Sequence, residues 1–239
     1  MPIKAILFDF MGTCLDWHTS VLSSLPPSLP PSSASSLALH WRHQYFSLNR
    51  ARLSQNLTIA PFDTVLASAL TNTLASPAFA HLSTHFDETA KKNAIRAFHV
   101  QKAWDDVAPA LSALKSEGYE IFVHANGSTR LQLNLVASSD LSFFDMLFSS
   151  EMLGEMIPAP ASYWKVLGLI GRDAGEVVKV AAHVEDLRGA RECGVRTVYV
   201  KRWSDDVGVE VGDVRGEFDA VLEGMEGLVG VVGELDKEG

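Results

Sequence analysis

Five short apolar runs along the chain predict the strands of a parallel β-sheet. The runs are continuous rather than alternating, which is typical of strands covered on both faces. They comprise residues 5–8, 120–123, 146–148, 177–182 and 197–200. Between them, apolar residues recur at helical spacing, and two such stretches stop at Gly118 and Gly194, as helices commonly do. Strands that alternate with helices in this way predict a doubly wound α/β core.

The interval from residue 19 to residue 103 breaks this alternation. It contains helical patterns and no convincing strand, and it opens with a serine- and proline-rich segment, residues 23–33. Such a segment cannot form one continuous helix and predicts an irregular connection. We therefore predict a helical cap subdomain, residues 19–103, inserted into a core made of residues 1–18 and 104–239. The tail from Phe218 onward predicts a last short strand and helix.

Composition and charge narrow the class of protein. A chain of 239 residues that is 47% hydrophobic can bury one α/β core with an insertion. The net charge is −9, from 20 lysines and arginines against 29 aspartates and glutamates, and it argues against nucleic-acid or anionic-membrane partners.

Localisation follows from what the sequence lacks. Cys14 and Cys193 cannot form a disulfide framework. We find no signal peptide, and no apolar run of the roughly 18 residues that a membrane span needs. We expect a cytoplasmic protein with a small-molecule substrate, and a homodimer remains an open alternative.

Asp9 is the sharpest candidate for a reactive group. It directly follows the first predicted strand, and open parallel sheets bind ligands beyond the carboxyl ends of their strands. Gly12 permits a tight turn and Thr13 places a hydroxyl nearby, which suits a nucleophilic carboxylate. The alternative is a structural role for Asp9 in a turn or at a helix N-terminus.

Polar residues also end two other predicted strands. His124 and Asn126 end the second strand, and His183 and Asp186 follow the fourth. Each has a structural alternative: Asn126-Gly127 is a common turn dipeptide, a lone histidine is more often structural, and Asp186 precedes a helix that it could cap. Three strand ends at one edge of a sheet nevertheless favour a functional site.

Arg42 lies in a helical stretch of the predicted cap. An arginine there is ordinarily a solvated surface residue. If the cap closes over the strand ends, Arg42 would instead bind a carboxylate or phosphate.

Residues 8–18, Phe-Asp-Phe-Met-Gly-Thr-Cys-Leu-Asp-Trp-His, resemble the first motif of the haloacid dehalogenase superfamily. They are more narrowly similar to its 2-haloacid dehalogenase branch. Further stretches match that branch in the same order and extend the resemblance over nearly the whole chain: residues 41–45 for the cap helix, 118–128 for the second motif, 158–163 for the third and 180–202 for the fourth. The resemblance implies a Rossmann-like core with a helical cap.

The resemblance also implies a reaction. Asp9 would attack a substrate carbon, displace halide and form an aspartyl ester that water hydrolyses. Arg42 would hold the substrate carboxylate and receive the halide, and Thr13 would orient Asp9. Asp186 would position groups for ester hydrolysis, and Asn126 would line the same pocket. Four further residues are predicted to contact the substrate: Met11, Trp17, His124 and Tyr163.

Several positions depart from the branch. Ile157 replaces a lysine that precedes a proline, and Ala125, Ala181 and His183 replace two serines and an asparagine. An opposite charge lowers the pKa of a carboxylate, whereas an apolar neighbour raises it. Without that lysine, Asp9 is expected to be a weaker nucleophile, or even a group that gains and loses a proton.

Three side chains could supply the missing positive charge. His183 and His124 would do so at the cost of pH sensitivity near neutrality. Lys165 is the weakest candidate because it lies about two helical turns from position 157.

Magnesium-dependent phosphatase chemistry is disfavoured. It would need a carboxylate where Met11 stands and usually another where Ala182 stands. Only Asp9, Glu185 and Asp186 remain as hard oxygen ligands, too few for a good Mg²⁺ site. We expect no cofactor, although Mg²⁺ stays possible.

Three functional hypotheses therefore remain open. The first is a metal-independent, 2-haloacid dehalogenase-like hydrolase that acts on a small carboxylic acid. The second is a diverged lyase, isomerase or cyclase that uses Asp9 with His183 and His124 for acid–base chemistry. The third is a phosphatase or a non-catalytic binding protein on the same fold.

Overall fold

The computed structural model describes residues 1–55 and 57–237, so residues 238 and 239 of the predicted tail lie outside the described residues. The chain divides into two compact units. One contains Met1–Asp16 and the chain from Ala103 onward, and the other is Trp17–Lys102.

The first unit contains a parallel sheet that confirms the predicted α/β class. The strands of the chain are β1 (Ala5–Phe8), β2 (Leu15–Asp16), β3 (Lys102–Ala103), β4 (Glu120–Ala125), β5 (Met146–Ser149), β6 (Val177–Ala181), β7 (Arg196–Val200) and β8 (Ala220–Leu222). Six of them form one sheet in the order β5-β4-β1-β6-β7-β8, with every pair parallel. β2 and β3 form a separate two-stranded sheet.

Helices alternate with the sheet strands in the first unit, whereas those of the second unit follow one another along the chain. The second unit contains α1 (Trp17–Ser24), α2 (Pro31–Ser54), α3 (Phe62–Ala75) and α4 (Glu88–Ala97). The first unit contains α5 (Val107–Ser116), α6 (Thr129–Ser139), α7 (Ser150–Leu153), α8 (Pro160–Ile170), α9 (Val184–Glu192), α10 (Val211–Val214) and α11 (Leu228–Lys237). Short 3₁₀ turns occupy Ala80–His85 and Ala174–Glu176.

The strand register decides which side chains share a face of the sheet. Leu7 lies opposite Phe122 on one side and Lys179 on the other. Because side chains in a strand alternate with a period of two, Asp9 and His124 continue the same face one step further along. That face packs on the apolar side of α8, through residues that include Tyr163, Val166 and Leu167.

The second unit is helical and has an aromatic centre. Trp17 stacks on Phe98 with ring centroids 6.0 Å apart, and Trp41 meets Phe98 edge-on at 5.0 Å. The indole nitrogen of Trp41 donates to the carbonyl of Leu66 at 2.8 Å, which satisfies its polar group inside an apolar cluster.

The serine- and proline-rich segment is less irregular than its composition predicts. Helix α1 extends to Ser24, and Pro31 already begins α2. Proline is well tolerated there because the first turn of a helix leaves its amides unpaired. The irregular connection is therefore confined to residues 25–30.

The described helices include none that combines the length and the apolar character needed to cross a membrane.

Candidate active site

A tight turn after β1 folds Thr13 back onto Asp9. Two successive amides of the turn donate to the carbonyl of Phe10, at 2.9 and 3.1 Å. Gly12 adopts a φ of 94°, a left-handed conformation that favours glycine. As a result, the Thr13 hydroxyl donates to Oδ2 of Asp9 at 2.6 Å.

The direction of that hydrogen bond is fixed by a second one. The amide of Ala182, just after β6, donates to Oγ1 of Thr13 at 2.8 Å. An amide can only donate, so the single proton of the hydroxyl is left to point at Asp9. The ends of β1 and β6 together set the orientation of the carboxylate.

His183 lies between two carboxylates. Its Nδ1 is 3.1 Å from Oδ2 of Asp9, and its Nε2 is 3.1 Å from Oδ1 of Asp205. The exposed fractions of the three side chains are 12% for His183, 9% for Asp9 and 0% for Asp205. A carboxylate on each ring nitrogen favours the imidazolium, because only that form donates from both nitrogens.

The electrostatics agree with this geometry. Burial by itself raises the pKa of Asp9, but the hydrogen bond and charge of His183, the charge of Lys179 and the Thr13 hydroxyl outweigh burial and lower this pKa to about 2. Burial lowers the pKa of His183, but Asp205 and Asp9 raise it well above its ordinary value. At neutral pH the pair is therefore a carboxylate and an imidazolium.

Asp186 has the opposite perturbation. It lies in the first turn of α9, after His183, which occupies the N-cap position. Burial and the negative charge of Asp9 raise the pKa of Asp186 to about 6. A carboxyl group with such a pKa can accept and release a proton near neutral pH.

Lys179 is a site residue that sequence reasoning missed. It lies in the middle of β6, is fully buried, and donates from Nζ to the carbonyl of His124 at 2.6 Å. Burial lowers its pKa, which the charges of Asp186 and Asp9 oppose. The signal in the sequence was a single charge inside the apolar run Val-Val-Lys-Val-Ala, since buried charges are rare unless paired.

Asp205 was missed as well. It lies in the loop after β7, five residues beyond Val200, and Ser204 donates to its Oδ2 at 2.8 Å. A Cβ at Gly12 would clash with its carboxylate group, so Gly12 serves both the turn and the approach of Asp205. The signal was a Ser-Asp-Asp run that follows a buried strand.

His124 has an environment unlike that of His183. It is fully buried, its Nε2 bonds the hydroxyl of Ser162 at 2.8 Å, and its ring meets Tyr163 edge-on at 5.0 Å. Burial and the nearby charge of Lys179 lower its pKa well below the ordinary value. The expectation that His124 could supply the missing positive charge is therefore wrong, because this histidine is neutral.

The remaining predicted residues of the first unit contact protein groups. Tyr163 is fully buried and donates from its hydroxyl to the carbonyl of Asp186 at 2.5 Å. The side-chain amide of Asn126 binds both backbone groups of Ile157, each at 2.9 Å. Met11 is buried in the turn, where it forms a β-bridge with Leu15.

Lys165 does not replace the missing lysine. Its Nζ donates to the carbonyl of Leu153 at 2.8 Å and lies 3.2 Å from Glu155. These partners lie at the end of α7 and just beyond it, so the ammonium group is already engaged away from Asp9.

Arg42 and Trp17 belong to the second unit. Arg42 lies on α2 and is buried. Its guanidinium carbon is 4.5 Å from the ring centroid of Phe46, 5.5 Å from that of Trp17 and 5.8 Å from that of Tyr45. Within this unit, the guanidinium is surrounded by aromatic rings.

The described residues contain one group of side chains with metal-ligand spacing. Asp9, His183 and Asp186 each offer an atom within 4.8 Å of the others. Both nitrogens of His183 already face carboxylates, and Oδ2 of Asp9 already accepts from Thr13. Magnesium prefers oxygen ligands in an octahedron, so this internally bonded set does not fit Mg²⁺.

Comparisons with known proteins agree with the fold. The chain is 28% identical over 226 residues to an (S)-2-haloacid dehalogenase of Burkholderia cepacia, covering 92% of this chain and 93% of that protein. The structure matches an L-2-haloacid dehalogenase with a TM-score of 0.80 and 25% identity, over 97% of this chain and 99% of that one. It matches a defluorinating L-2-haloacid dehalogenase with a TM-score of 0.80 and 26% identity, over 98% and 95%.

A family model covers most of the same stretch. The model describes haloacid dehalogenase-like hydrolases and matches residues 3–194, which include β1, the turn with Thr13, and β6 with His183 and Asp186. This chain therefore belongs to the haloacid dehalogenase-like hydrolases.

Proposed function

We propose that this protein removes halide from a small 2-halogenated carboxylic acid, without a metal, using Asp9 as the nucleophile. The observation that carries the proposal is the asymmetry of the Asp9 carboxylate. Oδ2 accepts hydrogen bonds from Thr13 and His183, whereas Oδ1 has no hydrogen-bond donor among residues 1–55 and 57–237. Oδ1 is the oxygen left to attack.

The first half-reaction forms an ester. Oδ1 attacks the carbon that bears the halogen, a carbon–oxygen bond forms as the carbon–halogen bond breaks, and halide leaves with the bonding electrons. A pKa of about 2 keeps Asp9 ionised at neutral pH. His183 and Lys179 supply the positive charge that the family lysine would otherwise provide.

The second half-reaction consumes water. Water attacks Cγ of Asp9, Asp186 accepts its proton, and the bond between Cγ and Oδ1 breaks to release a 2-hydroxy acid, whose new hydroxyl takes that proton. The oxygen of the water stays in Asp9 together with the second proton, which the carboxyl group then loses to solvent to restore the carboxylate. In the free enzyme the pKa of Asp186 is about 6, raised by burial and by the charge of Asp9. Ester formation removes that charge and lowers this pKa, so Asp186 is ionised at neutral pH and able to accept the proton.

The proposed role of the helical unit is to act as the cap and to supply Arg42 for the substrate carboxylate. Support comes from the buried position of Arg42 and from the three rings beside its guanidinium. A guanidinium that is partly desolvated binds a carboxylate more strongly than an exposed one does. The names of the relatives, (S)-2-haloacid and L-2-haloacid dehalogenases, point to the same substrate class.

The acid–base alternative is less well supported. A general base works best when its pKa lies near the pH of the reaction, and that of Asp9 is about 2. At neutral pH, Asp9 is therefore a poor proton acceptor but stays ionised, as a nucleophile must be.

The test is halide release from both enantiomers of 2-chloropropionate and 2-bromopropionate, with Asp9→Asn as the control for background. We expect release that depends on Asp9 and favours one enantiomer. In water enriched in ¹⁸O, a single turnover should leave the label in Asp9 and not in the product. The proposal would be rejected if the unaltered protein released halide from all four compounds no faster than Asp9→Asn does.

A further inference from the structure

The oxygen of Asp9 that accepts two hydrogen bonds changes its chemical role during the proposed reaction. In the free enzyme Oδ2 is half of a carboxylate. Once Oδ1 carries the substrate, Oδ2 becomes the carbonyl oxygen of an ester. When water attacks Cγ, the electrons of that carbonyl move onto Oδ2, which then holds the negative charge of the tetrahedral intermediate.

Two donors already point at that oxygen. The hydroxyl of Thr13 is 2.6 Å away, with its proton directed by the Ala182 amide, and Nδ1 of His183 is 3.1 Å away. Both donors come from fixed backbone positions, the turn after β1 and the N-cap of α9. This is the geometry of an oxyanion hole built around the enzyme's own side chain.

The His183 donor needs a proton on Nδ1 while Asp9 is esterified, and this requirement gives Asp205 a role. In the free enzyme two carboxylates face the imidazole. Esterification removes the charge of Asp9, so Asp205 is then the carboxylate still bonded to the ring, at 3.1 Å from Nε2. A neutral ring with its proton on Nε2 would present a lone pair to Oδ2 and would repel it.

The surroundings hold Asp205 in place for this role. Its side chain is fully buried, Ser204 donates to its second oxygen at 2.8 Å, and the missing Cβ of Gly12 leaves space for the carboxylate. Burial makes the charged hydrogen bond to His183 stronger than it would be in water.

We propose that His183 and Thr13 form the oxyanion hole for hydrolysis of the Asp9 ester, and that Asp205 is the positioning residue that keeps His183 a donor in that half-reaction. The inference rests on the proposed function and deepens it. It assigns Asp205 to the second half-reaction and not to the first, because Asp9 is already ionised when halide leaves.

The experiment compares Asp205→Asn with the unaltered enzyme and with Asp206→Asn. Asp206 is the matched control: it is the next carboxylate in the same loop, and it accepts from the amide of Val184 at 2.6 Å, a bond that an asparagine oxygen can keep. Each enzyme is mixed with 2-bromopropionate, quenched in acid at successive times, and measured for free bromide and for ester mass on the intact protein.

We expect Asp205→Asn to release about one bromide per enzyme at close to the normal rate and then to slow about 100-fold, the scale seen when one oxyanion donor is lost. Ester should accumulate on Asp9 in this variant and not in Asp206→Asn. If Asp205→Asn does not fold, His183→Ala should accumulate the same ester, and added imidazole should speed its hydrolysis.

Two results would overturn the inference. One is that Asp205→Asn accumulates no ester, either because its bromide burst and its steady turnover slow together or because both stay normal. The other is His183→Ala hydrolysing its ester at the normal rate. Failure of the proposed function looks different, since the unaltered enzyme would then release no bromide and form no ester.

Discussion

One histidine is the next-to-last residue of strand β4 and another lies two residues beyond β6, and the two differ in their partners, their burial and their pKa shifts. His183 lies between two carboxylates, and their hydrogen bonds and charges raise its pKa. His124 is fully buried near the Lys179 ammonium, and burial together with that charge lowers its pKa. Two histidines at the same edge of the sheet, one inside β4 and one at the N-cap of α9, thus differ in charge: His183 is an imidazolium and His124 is a neutral ring.

The difference teaches that the neighbours, and not the strand end, decide the charge of a histidine. His183 points to groups contributed by β1 and by the loop after β7. His124 bonds Ser162 on α8, and its Nδ1 has no hydrogen-bond partner in the part of the chain that the structure describes. The same substitution at both positions is therefore the most direct way to test the contrast.

The largest expected effect is that of His183→Phe. This change removes a donor to Oδ2 of Asp9 and the positive charge beside the carboxylate, and we expect kcat for halide release to fall by about 100- to 1,000-fold. Steady-state kinetics on 2-bromopropionate measure the loss. A reduction of less than threefold would mean that His183 and His124 are catalytically equivalent.

A smaller effect on rate is expected from Lys179→Met, which would also reduce the difference in pKa between His183 and His124. The change keeps the length of the side chain but removes the charge that helps to hold Asp9 ionised and His124 neutral. We expect kcat to fall about tenfold, comparable to one pKa unit of lost electrostatic stabilisation.

The same variant has a second readout. Nuclear magnetic resonance titration should find the pKa of His124 raised relative to the unaltered protein, with His183 still protonated at neutral pH. Lys179→Arg keeps the charge and is the control. An unchanged His124 titration in Lys179→Met would show that burial alone keeps that ring neutral.

The pH profile of kcat should have two limbs. In the free enzyme the Asp186 pKa is about 6, raised by burial and by the charge of Asp9. The ester lacks that charge, and its hydrolysis needs ionised Asp186, so kcat should rise with pH through a value below about 6. His183 must stay protonated, so kcat should fall at alkaline pH, above the raised pKa of that ring.

The alkaline limb sharpens the contrast between the histidines. Asp205→Asn should move it to lower pH, because one of the two carboxylates that raise the His183 pKa is lost. The other charged groups that face this region, Asp9, Asp186, Asp206 and Lys179, are unchanged in the variant. An alkaline limb that stays in place would assign it to another group.

The smallest effect on rate is expected from His124→Phe. The ring contacts Ser162 and Tyr163, so we expect kcat to stay within about threefold of normal while the free energy of unfolding falls by about 1 to 2 kcal/mol, the cost of leaving the buried Ser162 hydroxyl unpaired. Urea denaturation measures the stability. A loss of activity as large as that of His183→Phe would contradict the comparison.

The sequence predicted the sheet well because buried parallel strands leave a strong pattern. All five apolar runs are strands, and the predicted last strand and helix are β8 and α11. The bounds of β1 are as predicted and those of the other strands shifted by one or two residues, as in β4, which extends through His124 and Ala125.

The candidate site was predictable where its residues lie in the two motifs that follow β1 and β6. Asp9, Thr13, His183 and Asp186 meet because parallel strands end at one edge of the sheet. Lys179 was missed because it lies inside a strand, where one charged residue among apolar ones still leaves the run recognisable as a buried strand. Asp205 was missed because it lies in the loop after β7, and the sequence of a loop does not show that the chain folds back far enough to bring Asp205 to His183.

The close fit of Gly12 against Asp205 links two distant stretches of the chain. Any side chain at position 12 would displace the carboxylate, and any repositioning of the loop after β7 would leave that gap unfilled. Loop exchange between relatives therefore has to transfer both stretches together, because the turn after β1 transferred alone would leave an empty space where the Asp205 carboxylate packs.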